Sequence, residues 1–490
     1  MPSRTTRLLF AVAVTGLAVG IAGCSGAAPV DARPTLAKAS SDTVTVLAQH
    51  DPAERAIRAS RAVFASAPGA VVAPADDASA IGTAASAARR AHVPVLLAGS
   101  DDRRAVGQEL DRLGASWYQA EGDVDVSTDV EERDAPDGGA APEPSRASRP
   151  ATVVVADDQA DAAVVGTAQA AGADVVTMPD GVTDPAAAPD VVRALHAHRD
   201  TPTVLVGTAF ADLPDPGWTV RAAETGWQLP HGGQRPFDGH SYVAMYGAPG
   251  APTLGVLGEQ DPAAAVTRAK ELAASYDGVS DEPVTPAFEV IATVAAGSAG
   301  ADGDYSSELP VSTLEPYVDA AHDAGMPVIL DLQPGRSDFL SQAKRYESLL
   351  ERPGVWLALD PEWRLGPDQV PLQQIGSVSS AEVDQVSDWL AGLVRSEGLP
   401  PKALVLHQFR LSMLQDRSSL TTHPELDMLI HVDGQGSQPD KQATWNALHV
   451  DAPAGVHWGW KNFFDEDTPM LTPEQTMADV APTPSLVTYQ

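Results

Sequence analysis

Between Thr253 and Gln490, short apolar runs alternate with helix-forming segments eight times, and this alternation limits the fold more than any other feature of the chain. The runs are TLGVLG (253–258), FEVIATVA (288–295), MPVILDL (326–332), GVWLAL (354–359), KALVLHQ (402–408), LDMLIHV (426–432), GVHWGW (455–460) and SLVTYQ (485–490). Seven helical segments fill the intervals. Strands joined by crossovers of that length pair in parallel, and the helices they carry must cover the sheet. Eight such units in about 240 residues match the size of a (β/α)8 barrel. The pattern therefore predicts a TIM-like barrel over residues 249–490.

Residues just past each strand of such a barrel share one end, where barrel enzymes carry their sites. Here they are Glu259, Gln260 and Asp261 after the first run, Asp331 and Gln333 after the third, and Asp360, Glu362 and Arg364 after the fourth. The fifth brings His407, Gln408 and Arg410, the sixth His431, Asp433 and Gln435, and the seventh Trp458, Trp460 and Lys461. Asp331 and Gln333, like Asp360 and Glu362, stand two apart and point the same way on a strand.

Paired carboxylates beside aromatics suit glycoside hydrolysis, in which one carboxyl donates a proton and the other stays ionised. The expected pair is Asp360 or Glu362 with Asp433 or Asp331. Trp363, Trp458 and Trp460 are expected to stack on sugar faces, His407 and Gln408 to contact substrate, and Arg364 or Lys461 to keep one carboxylate charged. Two other readings compete with this one. The same groups would also make a salt-bridged plug in a barrel that binds glycan without cleaving it. Asp331, Asp360, His407, His431 and Asp433 would make a mixed oxygen and nitrogen metal site of the hydrolase kind. Within residues 249–490 no H-x-H or H-E-x-x-H spacing supports the metal, so no metal and no cofactor is assigned. A G-x-S-x-G elbow is also missing.

The first half reads as a separate α/β domain over 43–248. TVTVLAQ (43–49) is followed by a helical pattern at 53–65, and then comes a strand, helix, strand passage ending in PVLLAGSD. ATVVVADDQADAAVVGTAQAAGADVVTMPDG repeats its outline. Both passages carry an Asp pair (Asp76-Asp77 and Asp157-Asp158) and a Gly-Thr-Ala triplet (82–84 and 166–168), which predicts two related Rossmann-like units with parallel sheets. Between them, residues 122–150 are acidic and rich in Pro, Gly and Ser, the composition of a disordered insertion. No G-x-G-x-x-G fingerprint follows a first strand.

At the N-terminus, Arg4 and Arg7 precede an apolar stretch from Leu8 to Ala22, and IAGCSG follows. This is an export signal over residues 1–23. It resembles a bacterial lipoprotein signal, which implies that Cys24 becomes the lipidated N-terminus. Cys24 is the one cysteine in the chain, so no internal disulfide forms. Residues 24–42 then read as a tether, and no other run approaches the ~18 apolar residues of a membrane span. With 32 Lys and Arg against 66 Asp and Glu, the formal charge of −34 repels phosphate backbones and excludes a nucleic-acid partner.

Two resemblances extend this reading. The stretch from ERAIRASRAVFASAPGAVVAPADD through PVLLAGSDDRRAVGQELDRLGA resembles the cell wall-binding repeat type 2 of Gram-positive surface proteins, with a looser second copy reaching about residue 210. It implies non-covalent attachment to envelope polymer, although Glu121-Gly122 stands where that family carries Gly-Gly. LALDPEWRLGP, KALVLHQFR, MLIHVDGQG and HWGWKNFFDEDTPMLTP resemble a group of actinobacterial surface lipoproteins of undefined activity, whose barrels are similar in outline to polysaccharide-processing ones. Together the expectations describe an extracytoplasmic protein, held to the cell membrane by lipid at Cys24 and acting on or binding cell-wall polysaccharide or peptidoglycan. Cys24→Ala should move the protein from the membrane fraction to the medium, as fractionation and immunoblotting would report.

Overall fold

The computed structural model describes residues 33–135, 141–144 and 150–490. The signal, Cys24 and the first part of the tether lie outside the described residues. Within the remainder of the tether, Thr35–Leu36 pairs antiparallel with Phe64–Ser66, and Leu36 is buried against the first domain.

The N-terminal region is Rossmann-like, with two four-stranded parallel sheets. One has the order Val44–Leu47, Thr203–Val206, Thr152–Val155 and Asp174–Thr177. The other runs Val95–Ala98, Gly69–Pro74, Trp117–Ala120 and Glu131–Glu132. The repeated Asp pairs have a local cause. Asp77 accepts from the backbone N–H groups of Ser79 and Ala80 at the start of one helix, and Asp157 does the same for Gln159 and Ala160. The second triplet joins the two units. A Cβ on Gly166 would lie 2.6 Å from Ala85 Cβ, so only glycine lets the helices Ala78–Ala91 and Ala162–Ala170 approach this closely. Of the acidic insertion expected over 122–150, residues 136–140 and 145–149 lie outside the described residues, and 122–135 lie along the second sheet. Val124, Val126 and Val130 pack on the sheet, and Glu131–Glu132 extends its edge beside Trp117 and Tyr118. Alternate valines supply the apolar face that the acidic average conceals.

Eight parallel strands then close a TIM-like barrel: β1 (Ser241–Gly247), β2 (Val284–Ala295), β3 (Val328–Leu332), β4 (Val355–Leu359), β5 (Lys402–His407), β6 (Leu426–Val432), β7 (His457–Asn462) and β8 (Leu486–Tyr489). Closure comes from β1, which pairs with β2 on one side and with β8 on the other. Seven of the eight expected strands are present, and the first one is corrected. TLGVLG forms two short 3-10 turns, Pro252–Leu254 and Val256–Glu259, and the barrel begins at Ser241, inside the span expected for the first domain. Gly255 has φ +123° and packs on Gly247, where a Cβ on either residue would strike the other's backbone or Tyr246 O. The segment thus folds back over the end of β1 and cannot continue as a strand. Asp261, expected near the site, caps the helix Pro262–Ala274 by accepting from Ala264 N–H.

Alternation sorts each strand between two environments. Outward residues such as Val328, Leu330, Val355, Leu357, Leu404 and Leu406 pack under the helices. The lower interior is filled by Tyr242, Ala244, Ala287, Ile329, Trp356, Ala358, Ala403, Val405, Leu429 and Leu486. Leu229 and Phe237, from the segment that enters β1, plug its base, and Phe237 stands edge-on to Tyr242. On that segment Arg235 binds Asp184 of the first domain at 2.7 Å, Asp427 of β6 at 3.1 Å and the Pro424 carbonyl at 2.7 Å. Removing one member of a buried ion cluster strands the others in a poorly solvating interior. Arg235→Met should therefore lower the unfolding free energy by about 3 kcal/mol, read from the urea midpoint.

Candidate functional site

Continuing up the inward positions, the apolar filling gives way to titratable groups at the C-terminal mouth. They are Tyr246 on β1, Glu289 on β2, Asp331 on β3, Asp360 just past β4, His407 on β5, His431 and Asp433 on and past β6 and Lys461 on β7, with the hydroxyl of Thr488 on β8 beside them. Above them opens a cleft of about 740 Å³ whose lining includes Gln333, Asp360, Glu362, Asp433, Lys461 and Trp363.

His407 organises the floor. Fully buried, it holds Glu289 Oε1 at 2.7 Å through Nε2 and Asp433 Oδ2 at 2.9 Å through Nδ1. Burial opposes a charge on this ring, but Glu289, Asp331 and Asp433 outweigh it and raise its pKa well above the usual imidazole value. Glu289 and Asp433 are in turn held below the normal carboxylate range, because contact with His407 overcomes their own burial. His431 behaves oppositely. Burial, together with the charge of His407, drives its pKa down to about 3 and keeps it neutral. Its ring fits only because position 459 is glycine, where a Cβ would stand 2.7 Å from His431 Cδ2.

The remaining carboxyls are pushed upward. Burial raises Asp331 to about 6, with the Glu289 charge adding to it, while Tyr246 donates to Asp331 Oδ2 at 2.8 Å. Asp360 lies well above its usual value through burial and then through Glu362, Asp331 and Asp433. Glu362 reaches about 7, first by burial and then by the Asp433 charge. One cleft therefore holds carboxyls that keep protons near neutrality beside one that does not.

No family model matches this chain, and no curated protein does. Among solved structures, Cwp6 from Clostridium difficile aligns at 13% identity over 91% of this chain, with a TM-score of 0.18. The chain spans 62% of that structure's length, and a likeness this loose carries no argument.

The four expected carboxyls come together: Asp360, Glu362 and Asp433 line the cleft, and Asp331 lies directly beneath it. Trp363 and Lys461 also face the cleft, with Lys461 Nζ 3.4 Å from the centre of the Tyr246 ring. Other residues are placed differently from expectation. His407 has no exposed surface, so it positions carboxylates and does not meet substrate. Gln408 is also buried, accepting from Arg417 and donating to the Arg410 carbonyl. Arg364 turns away to Glu382 at 2.7 Å. Trp458 and Trp460 point outward to Trp445, with Trp458 stacked on His449 at 3.6 Å, and neither reaches the cleft. Strand parity explains this, since Trp458 and Trp460 share one face of β7 while Lys461 occupies the other.

Glu289 and Tyr246 are functional residues that the sequence reading passed over. A lone glutamate inside the apolar run FEVIATVA was the available signal for the first; the second was lost with the misplaced first strand. Among the described residues, ligand atoms of Glu289, His407 and His431 lie within 4.8 Å of one another, as do those of Asp360, His407 and Asp433.

Glu362 gives a pH test. Its carboxyl holds a proton up to about pH 7 in the fold, but ionises near 4.5 when unfolded. Its contribution to stability is thus complete below about 4.5 and lost as pH rises through about 7. Glu362→Gln should lose less stability than the wild type between those limits, measured as urea midpoints on either side.

Proposed function

We propose that this protein is an exported, lipid-anchored envelope protein whose barrel hydrolyses glycosidic bonds in cell-wall polysaccharide, while its N-terminal domain attaches to envelope polymer. The observation that carries the reading is the divergence of two carboxyls in one cleft, Glu362 raised to about 7 and Asp433 held ionised by His407. Such a divergence assigns an acid and an anion to the same reaction.

In this mechanism Glu362 gives its proton to the leaving glycosidic oxygen as the bond to the anomeric carbon breaks. Asp433 is the anionic partner on the carbon side, and the elements of water are added across the bond. Asp360 is a buried acid whose carboxyl lies within 4.8 Å of that of Asp433, and its proton keeps a further negative charge out of the site. His407 fixes Asp433, and Glu289 stabilises the imidazolium from below. Trp363, Phe409 and Phe463 give the cleft flat apolar walls suited to the faces of sugar rings. The attachment role rests on the resemblance of residues 50–125 to cell wall-binding repeats.

The test is sugar release from isolated cell walls. Glu362→Gln and Asp433→Asn should each lower release by about 100-fold or more, the range expected on losing acid or base catalysis. In the wild type, activity should fall on the alkaline side with a midpoint near the pKa of Glu362, about 7. Equal release by the wild type and Asp360→Asn/Glu362→Gln would remove the site assignment.

A further inference from the structure

Beneath the cleft floor, both imidazoles have their far nitrogens occupied. His407 Nδ1 is held by Asp433 Oδ2 at 2.9 Å, and His431 Nε2 by Thr488 Oγ1 at 3.0 Å. Their other nitrogens turn toward the same carboxylate, with His407 Nε2 at 2.7 Å from Glu289 Oε1 and His431 Nδ1 at 3.8 Å from Glu289 Oε2. Asp331 Oδ1 stands beside them, 4.0 Å from His407 Nε2. His431 Nδ1, Glu289 Oε2 and Asp331 Oδ1 are buried and accept or donate no hydrogen bond, although all four residues are wholly enclosed. Buried polar atoms are ordinarily paired, and the neighbouring orphans His431 Nδ1 and Glu289 Oε2 call for a shared partner.

We infer that Glu289, His407 and His431, whose ligand atoms all lie within 4.8 Å of one another, form a closed seat for a divalent transition metal, with zinc as the best match. Zinc takes nitrogen and carboxylate ligands in a tetrahedron whose edges are about 3.3 Å. The separations of 2.7 and 3.8 Å within the group straddle that edge. Two imidazoles among three protein ligands argue against calcium or magnesium, which prefer all-oxygen shells. Asp433 and Thr488 do what outer groups do for metal-bound histidines, fixing tautomer and ring orientation. The metal takes the place of the proton shared by His407 and Glu289, and leaves His407 Nδ1–H donating to Asp433. With every ligand enclosed, the ion holds β2, β5 and β6 together from within the barrel. This site stands whether or not the cleft above it cleaves glycan.

Tag-free full-length protein, stripped by chelator and re-exposed to zinc, should retain about one zinc per chain by elemental analysis. His431→Gln and Glu289→Gln should each reduce that content at least tenfold, Thr488→Val should weaken binding about tenfold as an outer-group loss, and Asp360→Asn should leave it unchanged. Cobalt in place of zinc should give the intense visible bands of a tetrahedral site. Circular dichroism checks that the variants fold. If they do not, the wild-type cobalt spectrum decides, and lack of tetrahedral bands overturns the assignment. Failure of the wild type to retain zinc, or full retention by folded His431→Gln and Glu289→Gln, overturns it as well. The readout is bound metal, so a negative here is separate from a negative in the sugar-release assay.

Discussion

A buried imidazole between two carboxylates, His407 between Glu289 and Asp433, is the constraint on which the upper barrel depends. Water is excluded from this position, so the charges can be solvated only by one another. The neighbouring groups are set by the same enclosure. His431 is kept neutral, Asp331 and Asp360 are pushed toward protonation by burial and by the nearby carboxylates against the pull of His407, and Tyr246 donates its hydroxyl to Asp331. Each of these arrangements has a partner from a different strand, so the electrostatics at the mouth and the closure of the sheet specify one another.

The inward positions of the barrel divide its work along the axis. At the base, aromatic and aliphatic packing around Tyr242, Trp356 and Phe237 fills the lumen and fixes the strands. Two residues further along the same strands, that packing stops and polar groups begin. An apolar floor supplies the rigidity that a charged cluster cannot give itself, and it also raises the cost of ionising whatever sits above it. The shifted carboxyls of the cleft are a product of this stacking.

Much of this order was legible in the sequence because it rests on periodicity. Seven strands, their helices and the meeting of Asp331, Asp360, Glu362 and Asp433 all follow from apolar runs that end in polar residues. Where the reading failed, a tertiary constraint had overridden composition. TLGVLG is apolar enough for a strand, yet Gly255 adopts a backbone conformation that strands do not use, while SYVAMYG is buried on both faces and shows no polar alternation. The tryptophans at 458 and 460 were taken with Lys461, although adjacent strand positions face opposite ways. Glu289 was hidden because its partners, His407 and His431, are supplied by strands far along the chain.

The ring of hydrogen bonds in the barrel is completed by β1 and β8, the two most widely separated of its strands, with Tyr242 opposite Leu486 and Met245 opposite Tyr489. Until that pairing forms, the sheet has two open edges, and His431 lacks the hydroxyl of Thr488. Loop closure over so long a stretch is entropically late and slow. The pairing that removes the aggregation-prone sheet edges is therefore also the one that brings Tyr246 and Thr488 to the titratable cluster, so completion of the cleft and loss of the open edges are one event.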